Sequence, residues 1–441
     1  MKRFILSRLI SVLCASGLMM ISAQAMASAY QIWEQDGASI GNVHAGYAAE
    51  ANDASTAWYN PAGITRFTNQ QLVFGASIIV PNFKYKGMVN VITPFGETPF
   101  DNVTAQGGTF NLVPSLHYVA PLTDRIGFGF SLDVPFGLKT DYGRNSPLRY
   151  AGTLTSVQVV DISPSLGFKV TDKASVGAGF DIQRMFGEFD QEGTPLATEP
   201  ELDTENITKL NDTGYGYHMG ALYEFNPCTR VGISYHSQVV HHLSGSSKFI
   251  GRLADDLNGG PFGSSRATAN VTLPAYTAFS LYQKIIPQVA VMGSAIYTQW
   301  NGFKTLTLHN AAGVQDLAAS TDITVSVPEY YHNSWSLSVG ADYYATDTIT
   351  LRGGVGYDQT PVRTTYRNVQ LPDNDRYLVA VGGHFQATKT VGFDLGYSHV
   401  FSQASRVHPP AQVTGDQIVQ TDGHVNGGAD VIGMQLTWDL V

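Results

Sequence analysis

Val176-Gly177-Ala178-Gly179-Phe180-Asp181-Ile182-Gln183 puts an apolar residue at every even position and a small or polar one at every odd position. Side chains two apart share one face of a strand, so this stretch has a greasy face and a face of glycine and polar groups. The pattern returns in Ile349–Asp358, in Val391, Phe393, Leu395 and Tyr397, and at the end in Ile432, Met434, Leu436, Trp438 and Leu440. Two architectures produce it. A soluble sandwich hides the greasy face in a core, whereas a membrane barrel shows it to lipid and turns the polar face to a lumen. Aromatic residues at strand ends (Tyr343, Tyr344, Tyr357, Tyr397, Trp438), inward glycines and a terminal strand favour the membrane barrel.

Composition agrees. Charged residues are 14% of the chain, against about 25% in ordinary soluble proteins. The net charge of −10 argues against nucleic acid as a partner. Lys2, Arg3 and Arg8 precede an apolar run from Leu9 to Ile21, and Ala25-Met26-Ala27 supplies a cleavage site, so residues 1–27 are expected to be a secretory signal peptide. That run is shorter than the roughly 18 residues a spanning helix needs. Leu13 before Cys14 argues against a lipoprotein site, and beyond the leader Cys228 has no cysteine partner.

Short turn signals fall at Pro121–Asp124, Val170–Lys173, Asn226–Thr229 and Ala345–Asp347 and predict periplasmic turns. Longer polar stretches, Gln191 to Asn211, Gly245 to Asn270 and Ala404 to Asn426, are expected to be extracellular loops. At roughly 26 residues per strand and connection, residues 70–441 make an antiparallel β-barrel of about 14 strands. Residues 28–69 do not alternate. They are rich in apolar groups (Ile32, Trp33, Tyr47, Trp58, Tyr59) and are expected to fold into the lumen as a partly helical plug.

In Gly46–Ala49, Asp53–Ser55, the Trp58–Gly63 stretch with its Asn60-Pro61-Ala62 signature, Val134–Thr140, Tyr297–Trp300, Leu351–Gly354 and Leu371–Arg376, taken in order, the chain resembles the FadL-type long-chain fatty acid transporters of Gram-negative outer membranes. The resemblance implies passive uptake of a hydrophobic ligand through a plugged barrel, with release sideways through an inward kink of the third strand. It implies fatty acid and outer-membrane lipid as partners, and no enzyme activity. The barrel assembly machinery is a further expected partner, although the chain ends Trp438-Asp439-Leu440-Val441 without the terminal aromatic that this machinery reads.

The candidate residues follow. Pro135 cannot donate to a ladder and so interrupts pairing; the resemblance implies that, with Asp133, Phe136 and Gly137, it forms the kink and lateral opening. The resemblance implies that Tyr30, with Ile32 on the same side, reaches into the binding pocket. A fatty-acid tail needs dry surface, worth about 0.8 kcal/mol per methylene, so an apolar lining dominates binding. The resemblance places Arg184 close to the family's head-group arginine, although strict alternation turns it to the outside, and Lys304 after Trp300 is the second candidate head-group cation. Arg352, Asp358 and Asp394 face inward by parity and read as a lumenal ion-pair network.

Other signals point away from chemistry. Gly37–Gly41 fits a nucleophile-elbow pattern but lacks the preceding strand that the motif requires. His241-His242 has no second pair at ligand spacing. No metal and no cofactor are expected. Rival readings are aromatic-hydrocarbon uptake by the same fold, an outer-membrane lipid hydrolase, which would need a Ser-His pair on the outer surface, and a general porin, which would lack the apolar plug.

Overall fold

A computed structural model describes residues 29–315 and 319–440; the expected signal peptide lies outside the described residues. Fourteen antiparallel strands close on themselves. They are β1 (Gln70–Thr93), β2 (Asn111–Pro121), β3 (Ile126–Asp141), β4 (Leu154–Lys169), β5 (Ala174–Gly193) and β6 (Thr204–Asn226). Four follow in two runs each: β7 (Thr229–His236, Val239–Gly251), β8 (Phe262–Leu273, Tyr276–Ile286), β9 (Val289–Thr298, Thr305–Gln315) and β10 (Ala319–Pro328, Ser334–Tyr344). The last are β11 (Ile349–Asp358), β12 (Arg376–Gln386), β13 (Val391–Ser402) and β14 (Gln417–Leu440). Closure is the long β1–β14 ladder, from Gln70↔Leu440 to Ile92↔Ile418. Closing the ladder leaves no free edge strand, which hydrocarbon demands because it offers no hydrogen bonds.

The alternation sorts as its polarity requires. On β5, Val176 and Phe180 are exposed while Asp181 and Gln183 are buried. Leu351, Val355, Val379, Val381, Leu395 and Met434 likewise face outward. Aromatic rings bracket this band: Trp335, Tyr377 and Phe401 on the loop side, Tyr343, Phe385, Phe393 and Trp438 on the turn side. Trp335 and Tyr343 are separated by about 27 Å of strand, roughly 20 Å of height once tilted, close to the apolar band of an outer-membrane barrel.

The tight turns fall where expected, for example between Lys169 and Ala174. The expected long loops are mostly strand, which is a correction. β5 and β6 pair out to Gly193↔Thr204. β7 and β8 pair to Phe249↔Phe262, around the short helix Arg252–Asn258. β14 starts at Gln417 and receives the short strands Ser405–Val407 and Gln412–Thr414. These extensions rise past the hydrocarbon into water, so they carry no lipid-facing apolar row and read as loop.

Residues 29–69 lie inside the barrel as single turns (Ser39–Asn42, Thr56–Tyr59, Pro61–Arg66) joined by irregular chain. Turn hydrogen bonds within the segment, such as Val43 N–H to the Ile40 carbonyl and Trp58 N–H to the Ser55 carbonyl, satisfy only part of its backbone. The wall adds partners from several sides: Gly46 N–H donates to Ser294 Oγ (3.0 Å), Ala48 N–H to Ser280 Oγ (3.0 Å), Ala54 N–H to Gln71 Oε1 (2.7 Å) and Gly37 N–H to Gln435 Oε1 (3.2 Å). Asn60 Nδ2 donates to the Ala48 carbonyl at 2.6 Å and to the Ala221 carbonyl of β6 at 3.2 Å, and its Oδ1 accepts from Ala62 N–H at 3.1 Å. Pro61 opens the turn that follows, where its missing N–H costs nothing.

Candidate ligand-binding site

The third strand departs from the ladder. β2 and β3 pair only from Pro121↔Gly127 to Leu116↔Leu132. Beyond that point β3 keeps β4, with a register shift between Asp133 and Phe136. Its other edge is taken by the internal segment: Ile32 N–H donates to the Pro135 carbonyl (2.9 Å) and Gly137 N–H to the Tyr30 carbonyl (2.8 Å). Gln35 accepts from Val134 N–H at 3.1 Å and donates to the Val134 carbonyl at 3.0 Å. Pro135 has no N–H to offer, so the kink falls at the one residue of β3 that cannot complete a ladder. Asn111–Ser115 of β2 pair with β1 and, among the described residues, have no ladder partner on the edge facing β3. The wall therefore has a gap, bounded on the loop side by Asp141 N–H donating to the Gly107 carbonyl at 3.0 Å. Ile32 belongs to one apolar cluster with Val113 and Val134 beside this gap. Asp133 is fully buried next to it, its carboxylate 3.6 Å from His117 Nε2.

A cavity adjoins the kink on the loop side. Its walls are mainly apolar: Leu138, Val157, Met185, Phe189, Leu306, Leu308, Ile323, Val325 and Val327. Tyr30 stands at its base, 4.9 Å edge-on from the Trp300 ring and 6.0 Å from those of Phe136 and Phe303. Its polar lining residues include Glu329, Asn368, Gln370, Asp190, Gln191 and Gln412. Asn368 Nδ2 donates to Glu329 Oε1 at 3.0 Å. Glu329 lies beyond the spanning run of β10, and burial pushes its carboxyl up to about 8.

The structure thus brings Tyr30, Ile32, Pro135, Phe136 and Gly137 together. It does not bring the two candidate cations to them. Arg184 is exposed on the outer face, bonded to Thr213 Oγ1 (2.9 Å) and to Asn211. Parity holds along β5 without a bulge at that point, so it is Met185 that turns into the cavity. Lys304 is exposed in the break between the two runs of β9 and does not line the cavity. The expected lumenal network divides in two. Arg352 bonds Asp394 and lies 3.7 Å from Asp342, whereas Asp358 pairs with Arg376 at 3.1 Å. Arg376 also lies 3.4 Å from Asp373, which accepts the Ala29 N–H at 3.0 Å and so ties down the start of the internal segment.

Most of the lining was missed. The signal was present in Leu306 and Leu308, and in Ile323, Val325 and Val327, which alternate with polar residues. Outside hydrocarbon the rule reverses, and the apolar face turns inward. Asp181, His218 and His236 bring a carboxylate and two imidazoles within 4.8 Å among the described residues. Asp181 is spent on His218 Nδ1 at 2.6 Å, and the rings stack at 17°, so their in-plane lone pairs do not converge on one ion. His236 instead packs 4.6 Å from Trp58 of the internal segment.

The outer membrane protein transport family model (OMPP1/FadL/TodX) matches residues 18–440. A long-chain fatty acid transport protein of Salmonella typhi is 28% identical, over 89% of this chain and 92% of its own. Outer membrane protein P1 of Haemophilus influenzae is 26% identical, over 90% of each. A solved Pseudomonas aeruginosa FadL homologue superposes with TM-score 0.81 at 25% identity, covering 93% of this chain and 99% of its own. The toluene transporter TodX of P. putida shares the fold, with TM-score 0.65 at 17% identity over 92% of this chain and 98% of its own. A family match over nearly the whole chain, on a closed barrel with an apolar outer band, makes this an outer-membrane protein of the OMPP1/FadL/TodX transport family.

Proposed function

We propose that the protein takes up long-chain hydrophobic molecules, fatty acids foremost, across the outer membrane by passive diffusion. The observation that carries this reading is the adjacency of an apolar cavity, the Tyr30–Gln35 stopper and the gap between β2 and β3. The fatty acid transporters among its relatives support the choice of substrate. Ligand enters from the loop side and gains about 0.8 kcal/mol for each methylene it buries. It then leaves through the gap into lipid when Tyr30 and Ile32 withdraw from β3. A descending concentration gradient suffices, because the tail first leaves water for the cavity and then exchanges one apolar environment for another.

Residues 28–69 act as the plug, with Asn60, Pro61 and Ala62 latching it to β6. Asp133, Pro135, Phe136 and Gly137 hold the exit. Pro135→Val restores a ladder donor and should narrow the gap. Uptake of labelled hexadecanoate by cells carrying that variant should fall at least fivefold while binding to the purified protein is kept. Uptake equal to wild type would remove the lateral exit from the mechanism.

A further inference from the structure

The polar end of the cavity has a definite chemical sense. Among the described residues no lysine, arginine or histidine lines it. Its titratable groups are Glu329, Asp190, Tyr30 and Tyr331. Buried arginines elsewhere are engaged away from the lining: Arg149 with Asp203, Arg376 with Asp358 and Asp373, and Arg367 with the Arg406 carbonyl. Three polar atoms of lining residues are buried without a partner: Tyr30 Oη, Asp190 Oδ1 and Gln370 Oε1. The amide oxygen only accepts, and so does an ionised Asp190.

The Tyr30 hydroxyl can donate as well as accept, but a ligand head seated against the Gln370 oxygen should bring a hydrogen to donate. A carboxylate would shed its water and find no cation to replace it. Tail burial is the same for any head on the same chain, so the head decides the preference.

We propose that the cavity takes its ligand with an uncharged, hydrogen-bond-donating head, such as a long-chain alcohol or a protonated fatty acid, seated against Glu329, Asn368 and Gln370. This rests on the uptake reading above and sharpens its substrate class. Asn368 Nδ2 donates to Glu329 Oε1 and so orients that carboxyl, while Gln370 Nε2 donates to the Ala151 carbonyl and so fixes which end of its amide is the unpartnered oxygen. Burial raises the Glu329 carboxyl to about 8, so near pH 7 it is largely neutral and can exchange hydrogen bonds with an acid or alcohol head.

The test uses three probes with sixteen-carbon chains, bound at pH 7 to the purified mature protein in detergent. Hexadecanol is neutral and donates, methyl hexadecanoate is neutral and only accepts, and hexadecanesulfonate is anionic at every accessible pH. Hexadecanol should bind at least tenfold tighter than the sulfonate and at least threefold tighter than the ester. A sulfonate as tight as the alcohol would overturn the proposal, as would an ester as tight as the alcohol. Binding of none of the three would overturn the uptake reading itself, which separates the two failures.

Gln370→Lys and Glu329→Lys each place a cation at the seat. Either variant that folds should gain at least tenfold for the sulfonate and lose or keep affinity for the alcohol. An unchanged order of affinities in both variants would show that the head sits elsewhere and would overturn the assignment.

Discussion

A methyl group added at Gly232 would overlap the Ala48 carbonyl, because the internal segment runs directly against the β7 backbone there. Gly354 meets Asn42 in the same way. At these positions the inward glycines let a second backbone lie against the wall. Gly232→Ala should cost roughly 1–3 kcal/mol by overpacking and unseat the segment locally. The single-channel conductance of the variant in planar bilayers should exceed wild type; an unchanged trace would place the seal elsewhere. At Glu329 the prediction concerns pH. Its folded-state carboxyl is raised from the ordinary 4.5 to about 8, so folding retains a proton that the unfolded chain releases. The group thus opposes folding increasingly as pH rises through that window and levels off above it. Glu329→Gln removes the titration. Its urea midpoint relative to wild type should climb from pH 4.5 to 8, and a flat difference would mean the carboxyl is not desolvated.

Among the elements, β3 carries the functional departure. Its turn-side half pairs with both neighbours, while its loop-side half pairs with β4 and with Tyr30–Gln35. Pro135 was readable as a ladder breaker in the sequence. The partner that takes over the freed edge was not, because Tyr30 and Gly137 are more than a hundred residues apart. Gln35 clamps Val134 through both its amide oxygen and its amide nitrogen. Gln35→Ala should therefore weaken the docking by on the order of 1–3 kcal/mol. Hydrogen exchange at Gly137, whose N–H bonds Tyr30, should accelerate at least tenfold; exchange at the wild-type rate would show that the segment docks without this clamp. Arg184 carries a different lesson about elements. A resemblance placed it near a head-group site, but strand parity put it outside, and parity decided.

For the molecule as a whole, barrel and internal segment divide the work. The barrel closes through β1 and β14 without help from residues 29–69, whereas the segment borrows its hydrogen bonds from Ser280, Ser294, Gln71 and Gln435 of the wall. Deleting residues 28–69 should leave a folded barrel that conducts ions in planar bilayers. Conductance no greater than that of the intact protein would refute the plug. The sequence by itself determined the barrel, its outward face and its tight turns, because a strand in hydrocarbon has one permitted polarity and repeats it every second residue. The same pattern in Leu306, Leu308, Ile323 and Val325 means the opposite beyond the bilayer, and nothing local marks where the hydrocarbon ends. Only the tertiary structure decided the cavity and the gap, because they are made by residues from Tyr30 to Thr414 whose adjacency depends on closing the ring and threading the chain's start back through it.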